Sequence, residues 1–358
     1  MIGAANRSYT NYPGDVLIQM EALRTHSSNG RRQGGRGDNH DVCSIIGRWK
    51  HCGGGRNPAC LEERMLISIA AYAVLLILLV VAVAAAYLFI LWNRSGEYFD
   101  SNGARLHYVS KGKGTPVILV HGFAINLGGN WFFPHVFQRL AKDYRVIAID
   151  NRGHGRSERF YEAEKYGTEF AEDIVRLMNH LKIEKAHVIG YSMGGFIVLK
   201  LATMYPERLL SVAPCGAGWT PNTAQELGLM QDTAESLERG TGFIPLLEWL
   251  EPPGRPKRWW MIKVLNAFMS ALFDVNAMAA VLRSFPQLEV SEEALRRNTV
   301  PALAVIGGVD PIRVFAEQMA AVMANLELVV VPGADHGTAL PSRVAMRAFR
   351  KFLAEHTR

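Results

Sequence analysis

The sequence predicts an α/β domain, in which helices cover a mostly parallel β-sheet, preceded by one transmembrane helix. Three observations carry this prediction. From about residue 97 onward, short apolar runs rich in Val and Ile alternate with longer amphipathic segments. Within this alternation, the stretch AHVIGYSMGG (Ala186 to Gly195) is typical of a strand, a sharp turn and a helix start. Met65 to Trp92, upstream of the alternation, contains no charged residue.

The composition limits the class of protein. A chain of 358 residues with 49% hydrophobic residues can bury a sizeable core. The net charge of +6 is spread along the chain, so we expect no nucleic-acid partner. From Glu97 onward Cys215 is the only cysteine, and it follows an apolar run, which favours a buried structural thiol over a reactive one.

The first 64 residues show neither helical nor strand periodicity, and Ser27 to His40 is dominated by Gly, Arg, Asn and Ser. We expect residues 1–64 to be disordered. The spacing of the possible zinc ligands in this segment matches no compact pair, so we expect no metal; they are His40, Cys43, His51, Cys52 and Cys60. An alternative is that the native chain begins at Met65, in which case mass spectrometry would find no peptide from before it.

Met65 to Trp92 is the predicted transmembrane helix. At about 1.5 Å per residue it can cross a hydrocarbon core roughly 30 Å thick with some tilt. A cleaved signal peptide is the alternative, because Ala84 and Ala86 form a small-x-small site, but the apolar sequence continues past them. The slight excess of Lys and Arg before the helix favours the large domain on the non-cytoplasmic side.

The domain from residue 97 to 358 begins with a predicted hairpin that turns at Asn102-Gly103. Strands are then predicted at 116–120, 144–149, 209–214, 301–306 and 326–331 and in the apolar run before Ser192, and helices at 131–142, 167–181, 196–202, 312–323 and 342–354. Residues 216–298 interrupt the alternation of strands and helices with amphipathic helical segments and several prolines. We interpret them as a helical cap inserted into the domain.

Three residues that follow predicted strands have the chemistry of nucleophilic catalysis. Ser192 lies in the sharp turn, Asp310 in a glycine-rich turn and His336 in the last loop. A serine hydroxyl needs a base that takes its proton and an acid that orients the base. Asp335 is a poor orienting acid, because a sequence neighbour cannot easily turn its carboxylate onto the same imidazole. Taken singly, these residues could instead serve as a tight turn, a helix cap and a surface loop residue.

Charge that develops on a substrate oxygen needs fixed hydrogen-bond donors. The amide of Met193 follows the serine at the positive end of a helix. The amide of Phe123 follows His121-Gly122 at the end of a strand, where Gly122 allows close approach of the backbone. We therefore expect these two amides to form an oxyanion hole.

From about Glu97 to Arg358 the chain resembles the α/β-hydrolase fold family, in particular the branch with a helical cap after the sixth strand. The motifs that carry the resemblance are His121-Gly122-Phe123, Asp150-Asn151-Arg152-Gly153-His154-Gly155-Arg156-Ser157, Gly190-Tyr191-Ser192-Met193-Gly194-Gly195, Gly308-Val309-Asp310 and Asp335-His336-Gly337. The resemblance implies that Ser192 is the nucleophile, His336 the general base and Asp310 the orienting acid. It assigns the loop from Asp150 to Ser157 to structural support, without a role for His154 as a second base.

The sequence contains neither a phosphate-binding loop nor a dinucleotide-binding glycine pattern, so we expect no cofactor. The resemblance also implies a reaction class. Epoxide hydrolases and haloalkane dehalogenases of the family carry Asp at the nucleophile position, so Ser192 argues against both. Cleavage of a carboxylic ester through an acyl-serine intermediate is the leading interpretation. The same triad serves carbon–carbon hydrolases, lactonases, thioesterases and haloperoxidases or perhydrolases. A membrane-tethered binding protein that keeps the fold without turnover is the alternative from another class.

The cap contains Trp259 and Trp260 among the cations Arg255, Lys257, Arg258 and Lys263. We expect the two tryptophans to line the substrate site from the underside of the cap. The alternative is that this cluster touches a lipid headgroup layer. Because the domain begins within a few residues of the predicted membrane helix, we expect a lipophilic ester or lipid as substrate, as in membrane-anchored monoacylglycerol lipases.

Overall fold

A computed structural model describes residues 58–221 and 223–357 of the chain. The expected disorder of the N-terminal segment falls largely on residues 1–57, which lie outside this part. The possible zinc ligands His40, Cys43, His51 and Cys52 lie outside it as well.

Helix α1 spans Pro58–Trp92 and begins before Met65, the residue at which the sequence predicts its start. The residues just before Met65 include charged side chains, but several of them, such as Leu61 and Glu62, are good helix formers. The helix can therefore begin before the uncharged segment. Its window Met65–Val83 has a mean hydropathy of 3.0 and is exposed throughout. By length and composition this helix could cross a membrane or act as a signal sequence.

The rest of the described chain forms one sheet with helices on both faces. The strands are β1 (Glu97–Ser101), β2 (Ala104–Lys111), β3 (Pro116–Val120), β4 (Arg145–Ile149), β5 (Ala186–Tyr191), β6 (Leu209–Cys215), β7 (Ala302–Gly307) and β8 (Leu326–Val331). Their order is β1-β2-β4-β3-β5-β6-β7-β8. β2 pairs antiparallel with β1 and β4, and the other neighbours are parallel. The predicted α/β class and the opening hairpin are both present.

Successive side chains of each strand point to opposite faces of the sheet and pack into two hydrophobic cores, one on each face. In β3, Ile118 and Val120 pack in one core, whereas Val117 and Leu119 pack in the other. The first core is covered by α3 (Glu169–His180) and α4 (Met193–Met204), and the second by α2 (Val136–Leu140) and α11 (Arg343–His356). Helix α10 (Arg313–Val322) follows β7. Burial on both faces explains why these strands read as nearly continuous apolar runs.

The helix predicted from Trp131 to Lys142 is replaced by two short pieces. A π-helical turn covers Gly128–Phe132, and α2 follows after a break. The break falls at Pro134, which lacks an amide donor, and at His135, whose φ of 60° is left-handed. The prediction of one continuous helix is therefore wrong at this place.

The cap lies between β6 and β7 and consists of short helices. These are α5 (Ala224–Glu238), α6 (Ile244–Trp249), α7 (Trp259–Leu272), α8 (Val275–Arg283) and α9 (Glu292–Arg296). Cap residues and residues at the carboxyl ends of the strands line one common cavity. The fold therefore brings the inserted cap next to the loops that carry the predicted triad.

Candidate active site

Ser192 lies in the turn between β5 and α4 and has a φ of 56°, which is strained for a residue with a side chain. Two glycines make the turn possible by close approach. A Cβ at Gly190 would lie 2.0 Å from the carbonyl oxygen of Gly194, and one at Gly194 would lie 2.1 Å from that of Val120. The Ser192 amide donates to the carbonyl of Cys215 at 2.9 Å, which ties the turn to β6. The turn holds Ser192 at the wall of the cavity.

His336 and Asp310 form a hydrogen-bonded pair beside this turn. The distance from His336 Nδ1 to Asp310 Oδ2 is 2.8 Å, and the aspartate is 3% exposed. Asp310 Oδ1 accepts from the Ile312 amide at 2.9 Å, which fixes the carboxylate. The neighbouring Asp335 accepts from Gly337 and Thr338 of its own loop. This agrees with the expectation that Asp335 does not orient His336.

Ser192 and His336 line the same cavity. Among the described residues no hydrogen bond of 3.5 Å or less joins Ser192 Oγ to the imidazole. Contacts of this kind are often long in an empty site and tighten when substrate binds. The two side chains therefore border one cavity without a direct hydrogen bond between them in the described part of the chain.

The loop after β3 brings Gly122 against the nucleophile turn, since a Cβ at Gly122 would lie 3.2 Å from Ser192 Cβ. Its amide donates to Asn130 Oδ1 at 2.9 Å. In residues 58–221 and 223–357, neither the Phe123 nor the Met193 amide donates to another protein group. Two unpaired amides next to Ser192 are what an oxyanion hole requires.

Buried histidines support the Phe123 loop from behind. His121 Nε2 accepts from the Asn151 amide at 2.9 Å, and His154 Nε2 accepts from the Ala124 amide at 3.3 Å. Burial lowers the pKa of His154 to about 3, with a further contribution from His121. His154 is thus a neutral hydrogen-bond acceptor in the scaffold, which agrees with the supporting role expected for its loop.

Two residues that sequence reasoning did not single out contribute to the geometry. Tyr191 donates from its hydroxyl to the carbonyl of His336 at 2.6 Å, and burial raises its pKa well above the usual value. Asn130 holds the Gly122 peptide. The position of Tyr191 beside the serine was visible in the sequence, but its partner is 145 residues away. No sequence signal marked Asn130.

The cavity has a volume of about 520 Å³. Its wall is mostly apolar and combines strand-end loops with the cap, through residues such as Phe196, Leu229, Met230, Leu265, Phe268 and Phe315. Polar groups in the wall include Ser192, His336, Asn130 and Glu226. An elongated or bulky apolar substrate group fits such a wall better than a polar one.

The expectation that Trp259 and Trp260 line the substrate site is not met. Their side chains are 47% and 71% exposed, and neither lies in the cavity wall. Trp219 and Trp249 contribute to the wall instead. The physical reason is that α7 is apolar on several faces, and it is Leu265, Phe268 and Met269 that meet the cavity.

Comparisons with known proteins agree with the fold. A family model described as alpha/beta hydrolase fold matches residues 115–237. A thermophilic esterase from Thermogutta terrifontis superposes with a TM-score of 0.60 at 25% identity, covering 73% of this chain and 97% of that one. The chain has the α/β-hydrolase fold, and the prediction of that fold is confirmed.

Two curated relatives have different activities in their names. The dihydrolipoyllysine-residue acetyltransferase component of an acetoin cleaving system from Pseudomonas putida is 30% identical over 245 residues, which is 62% of this chain and 59% of the relative. The pimeloyl-[acyl-carrier protein] methyl ester esterase of Aliivibrio fischeri is 28% identical over 265 residues, 70% of this chain and 98% of that one. The chain spans only 59% of the length of the first of these relatives, and the two names differ in activity, so the matches support the fold and leave the reaction open.

Proposed function

We propose that the protein is a serine hydrolase that cleaves a carboxylic ester with a lipophilic acyl group. In this proposal Ser192 is the nucleophile, His336 the general base and Asp310 the acid that orients it. The observation that carries the proposal is the His336–Asp310 pair at 2.8 Å in a cavity that Ser192 also lines, with two unpaired amides beside the serine.

The reaction follows from these positions. Ser192 Oγ attacks the ester carbonyl while His336 Nε2 takes its proton, and the buried Asp310 stabilises the imidazolium. The amides of Phe123 and Met193 donate to the oxygen that becomes negative. The imidazolium then gives its proton to the leaving alcohol, which leaves an acyl-serine. A water molecule releases the acid by the same steps, and the Ser192 hydroxyl is restored.

The apolar wall supports a lipophilic substrate. Each buried methylene of an acyl chain gains about 0.8 kcal/mol, so several of them favour a longer acyl group strongly over acetyl. The strand-end loops hold the reacting groups, whereas the cap supplies Leu229, Met230 and Leu265 to the wall. The cap therefore sets the choice of substrate in this proposal.

Thioesterase, lactonase, carbon–carbon hydrolase and perhydrolase activities use the same triad, and they are the second candidates. The carbon–carbon hydrolases need a ketone substrate with polar groups near the scissile bond. The mostly apolar wall of the cavity favours ester cleavage over carbon–carbon bond cleavage. A non-catalytic binding protein is disfavoured because it has no need for the strained φ of 56° at Ser192.

Membrane attachment through α1 is part of the proposal. The uncharged window with a mean hydropathy of 3.0 supports an anchor, and the apolar sequence that continues beyond the small-x-small site favours it over a cleaved signal. The distribution of Lys and Arg around α1 favours the domain on the non-cytoplasmic side.

Labelling with a fluorophosphonate probe tests the central claim. The wild type should be labelled covalently, Ser192→Ala should not, and the turnover of a p-nitrophenyl ester by this variant should fall by on the order of 10⁶-fold. Ser110→Ala, on β2, is the matched control and should label like the wild type. Equal labelling of Ser192→Ala and wild type would show that another residue is the nucleophile.

A chain-length series tests the substrate class. With p-nitrophenyl esters and acylglycerols, kcat/KM should rise from acetyl to medium and long acyl groups, because each added methylene is buried in the cavity. A strong preference for acetyl over every longer chain would contradict the lipophilic assignment and leave the triad assignment intact.

A further inference from the structure

The outer face of cap helix α7 carries a continuous apolar stripe. Trp260, Val264 and Phe268 follow one another at helical spacing and are 71%, 63% and 56% exposed. The stripe is widened by Trp259, Leu265 and Leu272. Single exposed apolar residues are ordinary, but a contiguous group of this kind on one helix marks a surface that meets an apolar partner. We call these six residues the α7 stripe.

The α7 stripe is continuous with the mouth of the active-site cavity. Leu265 and Phe268 belong to the stripe and also line the cavity wall. Phe133, which is exposed as well, lines the same cavity from the sheet side. Side chains that are both exposed and in the wall lie where the cavity reaches the surface. A molecule that touches the stripe is therefore beside the entrance to the site.

Cations surround the beginning of α7. Lys257 pairs with Glu248, and Arg258 pairs with Glu251 at 3.2 Å. Arg255 and Lys263 are exposed, and no ion pair to either occurs in the described part of the chain. The four cations exceed the two carboxylates, so the edge of the stripe is positive. The ammonium of Lys257 also lies 5.9 Å from the ring of Trp259.

This combination identifies the chemistry of the partner. Tryptophan rings beside Lys and Arg, at the border of an aliphatic face, match a headgroup layer above acyl chains. A protein partner would need a complementary acidic rim around an apolar groove, whereas an anionic phospholipid surface supplies phosphates and an apolar interior together. The apolar helix α1 in the same chain independently points to a membrane.

We propose that the α7 stripe docks on the surface of a phospholipid bilayer that contains anionic lipid, so that the cavity takes its substrate from the bilayer. Docking itself does not depend on the reaction. The loading step rests on the proposed function, since it needs a lipophilic ester as substrate. Lateral entry would spare such a substrate from crossing water, and the stripe would thus determine which esters reach Ser192.

Fluorescence quenching tests docking without any reference to catalysis. The full chain is reconstituted in vesicles of equimolar phosphatidylcholine and phosphatidylglycerol, with or without brominated acyl chains, and compared with Trp260→Phe. The emission lost in this variant belongs to Trp260 and should be quenched by the brominated lipid. Trp131→Phe is the matched control, because Trp131 is fully buried in the domain and its emission should not be quenched.

Two outcomes of this measurement would overturn docking. Trp260 emission that is unquenched and typical of water would show that the stripe remains in solvent. Emission that is unquenched but blue-shifted would show that protein covers the stripe, either a second copy or another segment of this chain.

A matched pair of variants tests loading. Val264→Glu adds a carboxylate to the stripe outside the cavity wall, and Val344→Glu makes the same change on α11. For a long-chain ester presented in the same vesicles, Val264→Glu should raise the half-saturating surface concentration about fivefold to tenfold. Its kcat/KM for soluble p-nitrophenyl butyrate should stay at the wild-type value. Val344→Glu should match the wild type with both substrates.

The two proposals fail in distinguishable ways. Equal vesicle activity of Val264→Glu and Val344→Glu would overturn loading through the stripe while ester cleavage stands. A wild type that cleaves no ester but shows quenched Trp260 emission would overturn the proposed function and retain docking.

Discussion

Tyr191 precedes the proposed nucleophile, and its hydroxyl contacts the backbone of the proposed general base. It donates to the carbonyl of His336 at 2.6 Å, and the two rings lie 5.5 Å apart between centroids. The loop of His336, the proposed general base, is thereby fixed to the strand that presents Ser192. Tyr191 is a positioning residue in this arrangement, because it acts on the imidazole through the backbone.

Tyr191→Phe should lower kcat about fivefold to tenfold with little change in KM, since the lost hydrogen bond loosens His336 and leaves the acyl cavity unchanged. The measurement is ester hydrolysis at several substrate concentrations. Tyr205→Phe is the matched control, because it loses a hydrogen bond to Glu172 on the surface side of α3. An unchanged kcat in Tyr191→Phe, or an equal loss in both variants, would contradict a positioning role.

At the scale of elements, the contact of α4 with β3 depends on Gly194. A methyl group there would lie 2.1 Å from the Val120 carbonyl oxygen, which belongs to the backbone and cannot move aside by rotation. The start of α4 would have to leave the sheet, and it carries the Met193 amide with it. The glycine of this motif thus serves packing and the proposed oxyanion hole together.

Gly194→Ala should therefore lower the free energy of unfolding by at least about 3 kcal/mol, or prevent folding. Gly228→Ala provides the control within another helix, where nothing lies within 4 Å of the added methyl group. That change should be neutral or raise stability by about 0.5–1 kcal/mol. The measurement is the free energy of unfolding of both variants by denaturant titration. Similar values for the two would refute the close-packing explanation.

At the scale of the whole molecule, stability should depend on pH through histidines buried in neutral form. His187 contacts Ser211 Oγ at 2.7 Å and Thr357 Oγ1 at 3.0 Å, which links β5 and β6 to the C-terminus. Burial, aided by the nearby His356, lowers its pKa from 6.5 to about 4. The unfolded chain thus binds a proton below pH 6.5 that the folded chain accepts only near pH 4.

The stability contributed by neutral His187 is complete above pH 6.5 and is lost as the pH falls toward 4. The loss amounts to about 3 kcal/mol. His187→Gln should flatten this part of the curve of unfolding free energy against pH. His180→Gln, at an exposed site, should keep the wild-type slope. A slope that is unchanged in His187→Gln would rule out His187 as its source.

How much the sequence predicts depends on the range of the interactions. Ser192, Asp310 and His336 each follow a strand, and parallel strands end at one edge of the sheet, so their meeting was predictable from order alone. Tyr191 and Asn130 act on groups brought near by the fold, and neither has a local signal. The orientation of Trp259 and Trp260 was not predictable, because α7 is apolar on both the cavity side and the outer side.

The position of the cap within the chain has a consequence for evolution. It leaves the sheet after β6 and returns at β7, and these strands are neighbours, so its two ends lie close together. Doubling the length of such an insertion costs only about 0.6 kcal/mol in closure entropy. Ser192 comes before the insertion, and Asp310 and His336 come after it. The cap can therefore be exchanged as a unit during evolution. Such an exchange would change the substrate specificity and leave the three proposed catalytic residues in place.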